Sequence, residues 1–291
     1  MGLVLAGAGW QSNWAAVLGE PFMRNAFAAG GLVAIAAGLL GYFVVVRQGE
    51  FAAHALGHIG FPGATGAVLL GVSPLLGLGV FCVVGAVVIG LLGTRANERA
   101  TATGTVLAMA TGLGILFASL ATRTTSTVTN VLFGNLLAVT TGQLACFAAF
   151  TLVLALVLAV VGRPLMLASL VPEVAEAKGV PVRALGVLFL VLMGLLVTMA
   201  VQAVGTLLLF ALVVTPPATA LRLTARPALV ALLSTGIGLL AVGAGLVLST
   251  MFNLPPSFFV VAVAFVVWAA TLVATRRAFP SVEAVHGHDH C

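Results

Sequence analysis

The sequence predicts an all-α, polytopic bundle of about nine transmembrane helices, with the N-terminus outside and the C-terminus inside. Three observations predict it: hydrophobic residues make up 62% of the 291-residue chain, charged residues only 7%, and apolar runs of bilayer length recur from one end to the other. Soluble domains carry roughly 25% charged residues, and a chain of this size has too little interior to hide so much apolar surface. Lipid accepts helices that are apolar all round, so a mean hydropathy of +1.25 reads as one membrane domain.

Runs near 25–46, 52–70, 74–92, 102–121, 142–161, 184–203, 204–221, 228–251 and 255–275 meet the length of about 17–25 residues that a spanning helix needs. The sixth and seventh are divided only by Gln202 and Gly205, so eight spans with one re-entrant piece is the alternative. Orientation follows from the tendency of Lys and Arg to stay cytoplasmic. With the loop after the first span inside, Arg47, Arg95, Arg99, Arg163, Lys178, Arg183, Arg222, Arg226, Arg276 and Arg277 are inside, and only Arg24 and Arg123 are outside. Residues 1–21 read as an interfacial segment carrying Trp10 and Trp14, without the cationic start of a signal peptide. Residues 22–277 form the transmembrane domain and 278–291 a cytoplasmic tail.

This topology accounts for the net charge of +5. The pair Arg276-Arg277 is the one basic cluster, so lipid rather than nucleic acid is the expected surroundings. Cys82 and Cys146 lie in apolar runs and are expected to be small buried packing residues rather than a disulfide framework. Recurrent glycines, such as Gly38 with Gly41, suit close helix approach in lipid.

Chemistry concentrates in the second span. His54 and His58 are the ionisable groups of the apolar interior, and such groups are costly in lipid and mark a pathway or site. At i and i+4 they share one helix face, where two neutral imidazoles can hold one metal ion. Pro62, followed by Gly63, has no N–H for the His58 carbonyl; that carbonyl is then a candidate oxygen ligand, or the helix a hinge. Pro216 and Pro217 do the same for the carbonyls of Leu212 and Val213. The HxxxH pair lacks the glutamate of the HExxH zinc proteases, since Ala55, Leu56 and Gly57 lie between the histidines.

An energy source is not evident within the chain. The sole lysine, Lys178, precedes Gly179 and does not end a GxxxxGK[ST] loop, and no span carries a carboxylate relay. A separate ATPase would dock on a cytoplasmic loop, for which 162–183 is the candidate. Within it, Pro172 to Pro181 reads as a short helix with Glu173 and Glu176, stopped after Ala177 and Lys178 by Gly179.

With these residues in place, the chain resembles the permease subunits of the ABC-3 family, the zinc and manganese importers of bacteria, from Phe22 to about Thr275. A family motif near DALSHAxLPG is matched by His54-Ala55-Leu56-Gly57-His58-Ile59-Gly60-Phe61-Pro62-Gly63. Further matches are Leu132-Phe133-Gly134-Asn135-Leu136-Leu137, Pro172 to Pro181, and Gln202-Ala203-Val204-Gly205 leading to Pro216-Pro217-Ala218-Thr219-Ala220. The resemblance implies a non-enzymatic plasma-membrane subunit that imports Zn2+ or Mn2+ and has no tightly bound cofactor. It also implies two cytoplasmic ATPase subunits, an external metal-binding protein and a second permease copy, as a homodimer or a related pair. The family's Asp and His map onto His54 and His58; histidine in place of aspartate tilts the expectation to zinc, because manganese favours carboxylate oxygens. The tail residues His286, His288, His290 and Cys291 read either as a metal-binding tract or as a plain tail. Two other readings are a self-contained secondary metal carrier and a membrane redox or protease enzyme built on His54 and His58.

Overall fold

Proline and capping residues explain where the helices start. The fold, a computed structural model, describes residues 14–93, 96–120 and 134–278, and these are helical without a strand among them. The helices are α1 (Trp14–Leu18), α2 (Pro21–Val46), α3 (Glu50–Leu69), α4 (Pro74–Leu92), α5 (Ala96–Leu120), a 3-10 turn at Leu136–Ala138, α6 (Thr141–Leu170), α7 (Pro172–Ala177), α8 (Val182–Leu223), α9 (Pro227–Phe252) and α10 (Pro256–Ala278). Five of these begin on proline, whose missing N–H has no helical partner at that position and whose φ is already helical. The start of α6 is held by a capping box, in which Gln143 N–H donates to Thr140 Oγ1 at 3.3 Å and Thr140 N–H to Gln143 Oε1 at 3.0 Å.

Seven helices among the described residues are long and apolar enough to cross a bilayer: α2, α4, α5, α6, Val182–Thr206 of α8, α9 and α10. These correspond to seven of the nine apolar runs. The other two runs are α3, whose apolar character is diluted by Glu50, His54 and His58, and the shorter piece Leu208–Leu223 of α8. Both are wrapped by protein, which relieves them of the need to be apolar all round.

Burial separates an inner from an outer layer. In α2, 67% of the apolar window is buried, and in Val182–Thr206 61%, against 11% in α10. The inner group is α2, α3 and α8, with α4 packed against α3 and α8; α5, α6 and α10 present large apolar side chains such as Met109, Leu152 and Phe265 outward. This corrects one expectation. Cys82 is buried, but Cys146 is exposed, because α6 is an outer helix and its apolar run faces outward.

The contact of α3 with α4 is made backbone to backbone. A Cβ on Gly63 would collide with the carbonyl of Gly77 and lie 2.8 Å from Phe81 Cβ, and the reverse collision would follow at Gly77. Near this crossing, the Cys82 thiol donates to the Leu56 carbonyl at 3.3 Å. The collision at Gly63 is with main chain, which cannot swing aside. Gly63→Val is therefore expected to lower stability by about 1–3 kcal/mol; a thermal-unfolding assay on the detergent-solubilised protein should show a reduced midpoint, while unchanged unfolding would contradict this packing.

Candidate functional site

The α-helical spacing places His54 and His58 on the same face of α3, and the structure brings their rings together. The centroids are 4.7 Å apart with the planes at 71°, a spacing that one metal ion with M–N bonds of about 2.0–2.1 Å can bridge. Both side chains are half-buried. Among the described residues no group of three or more His, Cys, Asp or Glu converges on a point. An ion held here would complete its shell with water, peptide or amide oxygens, or donors from another chain.

A wall of the site comes from α8, where the helix is interrupted. Gly205 has φ 76° and ψ 167°, a region open essentially to glycine alone. Before the break, Phe189 packs on Gly49 at the start of α3, and Ala203 shares a cavity wall with Ala64 far along it. After it, Thr206 packs on Gly57 and the Phe210 ring meets His54 edge to face at 5.2 Å. Contacts thus climb α3 before Gly205 and descend it afterwards, so the chain doubles back at the break. The break is wedged by a second left-handed glycine: Gly134 has φ 65°, and a Cβ on it would run into Gly205 N. Next to it, Asn135 N–H donates to Gln202 O at 3.4 Å.

At this junction lies a cavity of about 310 Å³, bordered by Ala64, Ser73, Asn135, Gln143 and Gln202 among others. By the topology expected from the sequence it is on the outer side, above the histidines. Sequence reasoning had no signal for Phe210 or Thr206 as neighbours of the pair. It registered Gln202 and Gly205 as an interruption of the apolar run.

The prolines occupy packing positions. α3 continues as helix through Pro62 to Leu69, with Phe61 and Pro62 against Gly114 of α5. Pro217 and the Val213 carbonyl face Gly41 of α2, at 2.7 and 2.9 Å from the place of a Cβ there. The Val213 carbonyl, one of the two that Pro216 and Pro217 leave without a helical partner, thus packs on α2, and no described contact joins either proline to the imidazoles.

The candidate docking segment folds as the sequence predicts. α7 ends in a glycine-stopped turn, in which Val180 N–H reaches Ala175 O at 3.0 Å and Gly179 N–H reaches Glu176 O at 2.9 Å, with Gly179 at φ 76°. Glu173, Glu176, Ala177, Lys178 and Gly179 are exposed, and only Ala175 of the helix is buried. Close to its base, Arg47 Nη1 donates to Ser169 Oγ at 3.0 Å, and its guanidinium sits 5.3 Å from the Phe189 ring centroid. Burial, and then the nearby Arg99, push Arg47 down to about 10, so it remains a cation at neutral pH. The tail residues His286, His288, His290 and Cys291 lie outside the described residues.

Comparison with known proteins agrees with this architecture. The profile of the ABC 3 transport family matches residues 20–275. The chain is 30% identical over 254 residues to the manganese transport system membrane protein MntC of Halalkalibacterium halodurans, covering 87% of each. It is 30% identical over 234 residues to the manganese import system permease protein ScaB of Streptococcus parasanguinis, covering 80% of this chain and 83% of that one. Among solved structures, PsaBC from Streptococcus pneumoniae in complex with Fab superposes with a TM-score of 0.79 at 27% identity, over 90% of this chain and 95% of that chain.

Proposed function

The chain belongs to the ABC 3 transport family, and from that premise we propose that it is the membrane permease of an ATP-driven importer of a divalent transition metal, with His54 and His58 as ligands along the path. The observation that carries the ligand assignment is the imidazole pair itself, two rings 4.7 Å apart on a helix otherwise poor in donors. The permease moves its cargo without chemistry of its own, and ATP is hydrolysed by cytoplasmic partner subunits.

Manganese is the cargo favoured by the names of the relatives MntC and ScaB. The second reading, zinc, rests on the donor set: two imidazoles without a converging carboxylate among the described residues suit zinc better than manganese. An external metal-binding protein would deliver the ion. A second copy of the chain would complete the transporter, and it would add donors where this chain offers two.

The ATPase would seat on α7. Supporting this is the exposure of Glu173 and Glu176 around the single buried Ala175. The tie from Ser169 to Arg47 also links the end of α6, just before α7, to the loop that starts α3. Movement of a docked ATPase would then reach the histidine helix through that hydrogen bond and one short stretch of backbone. Pro62 with Gly63, and Pro216 with Pro217, would act as hinges in this movement through the contacts they make with α5, α4 and α2.

His54→Ala and His58→Ala should each abolish ATP-driven metal uptake in proteoliposomes while leaving co-purification with the ATPase intact; uptake at the wild-type rate in both would remove the histidines from the path. His54→Asp should raise manganese uptake relative to zinc, since a carboxylate oxygen replaces a nitrogen, and an unaltered ratio would separate cargo choice from position 54. Replacing Glu173 and Glu176 together with Ala should detach or uncouple the ATPase, read as lost co-purification or as ATP hydrolysis without transport. Wild-type behaviour in both assays would place the docking surface elsewhere.

A further inference from the structure

We propose that the cavity at the Gly205 break is a second cation site, an oxygen-donor antechamber that holds the incoming divalent ion with much of its water before it reaches His54 and His58. The inference rests on the importer reading and extends it to residues outside the imidazole pair.

The volume is suited to such an ion. At about 310 Å³ the cavity accommodates a hexahydrated cation, on the order of 200 Å³ if each water takes ~30 Å³. Its lining is mixed, more apolar than polar, but it includes the polar residues Ser73, Asn135, Gln143 and Gln202, from four different segments. Gln143 Oε1 already accepts from Thr140 N–H and Oγ1 at 3.0 and 3.2 Å, which leaves Gln202 and Asn135 as the leading donors.

The backbone adds further oxygens. Val201, Gln202 and Ala203 line the cavity in the last turn before Gly205. The Gln202 carbonyl already accepts from Asn135 N–H, which leaves those of Val201 and Ala203; a regular helix would have passed them to N–H groups at and beyond the break. Interrupted helices commonly meet cations with unwound carbonyls in this way. No charged side chain appears among the lining residues. Neutral oxygens favour a hydrated hard cation without stripping or trapping it.

The cavity also leads to the histidines. Ala64 lines it and lies about 9 Å beyond His58 along α3, at ~1.5 Å per residue. Two turns below Ala64 on the same face is Gly57, where Thr206 packs, and Phe210 then meets His54. The broken helix α8 thus borders the cavity on one side of Gly205 and the imidazoles on the other.

The test uses the transporter assembled with its ATPase and external binding protein in proteoliposomes, with manganese and zinc as probes. Gln202→Met keeps the shape and removes the oxygen; KM for the metal should rise about tenfold, as for loss of one hydrogen bond to a charged group, with kcat preserved. Gln202→Glu should do the reverse, lowering KM and slowing kcat because the ion is held. A purely structural role would shift both variants in the same direction, and that result would overturn the proposal. A direct measurement covers the case in which a variant fails to assemble: Mn2+ titration followed by electron paramagnetic resonance on the solubilised His54→Ala/His58→Ala complex. A weak residual site is expected there, and absence of any residual binding would overturn the antechamber. Loss of uptake in the histidine variants alongside that absence would leave the importer reading standing, whereas wild-type uptake in them would strike at that reading instead.

Discussion

The fold depends on keeping α3, a helix with two titratable rings, inside a membrane protein where its own apolar surface is insufficient to hold it. Hydrophobic burial gives little drive between helices in lipid, so close packing must supply the attraction. Each neighbour of α3 therefore approaches through a residue without a large side chain. Gly63 meets Gly77 of α4, Gly114 of α5 receives Phe61, and Gly57 receives Thr206 of α8. Dispersion contacts at that range, many and individually small, fix the helix and with it the orientation of its rings.

The break at Gly205 is the second consequence of the same demand. A straight α8 would continue past the outer end of α3 and leave His54 without the Phe210 wall. Doubling back costs a left-handed glycine and a turn of ladder hydrogen bonds. The 134–138 segment covers the exposed main chain, with Gly134 wedged against Gly205 and Asn135 N–H taken by Gln202 O. Irregular backbone within a membrane protein is tolerated where protein or a water-filled cavity surrounds it, and here the 134–138 segment supplies the protein cover.

Much of this was legible in the sequence because hydropathy and glycine or proline punctuation are local signals. Pro21, Pro74, Pro172, Pro227 and Pro256 mark helix starts, Gly179 marks the end of α7, and the spacing of His54 and His58 by itself puts them on one face. The faint division at Gln202 and Gly205 carried the break, since a single glycine in a long apolar run looks like tolerated packing until φ is known. What stayed hidden was non-local. That Phe210 would reach His54, or that Cys146 would face outward while Cys82 was sealed in, depends on which helices become inner, and an all-round apolar helix carries no periodicity that says so. The prolines at 216 and 217 were readable as helix-disturbing residues, but their seating against Gly41 was not.

A path for an ion has to satisfy opposing requirements, and the proposed arrangement of donors would meet both. A site that replaced the whole hydration shell with charged ligands would bind the metal too well to release it, while a wholly apolar channel would not admit it. On the proposed path the ion would meet amide and peptide oxygens at the Gly205 cavity and then two imidazoles, and among the described residues no cluster of three or more His, Cys, Asp or Glu forms a deep trap. The ion's own charge is then balanced by dipoles that cost little to leave. In the proposed importer, direction would come from the ATPase acting through the cytoplasmic contacts of α7 and Arg47. The described contacts that hold α3 to its neighbours are chiefly packing at glycines, with the Cys82 thiol to Leu56 carbonyl as a polar tie, so the proposed movement would have to carry α3 and the helices packed on its glycines together.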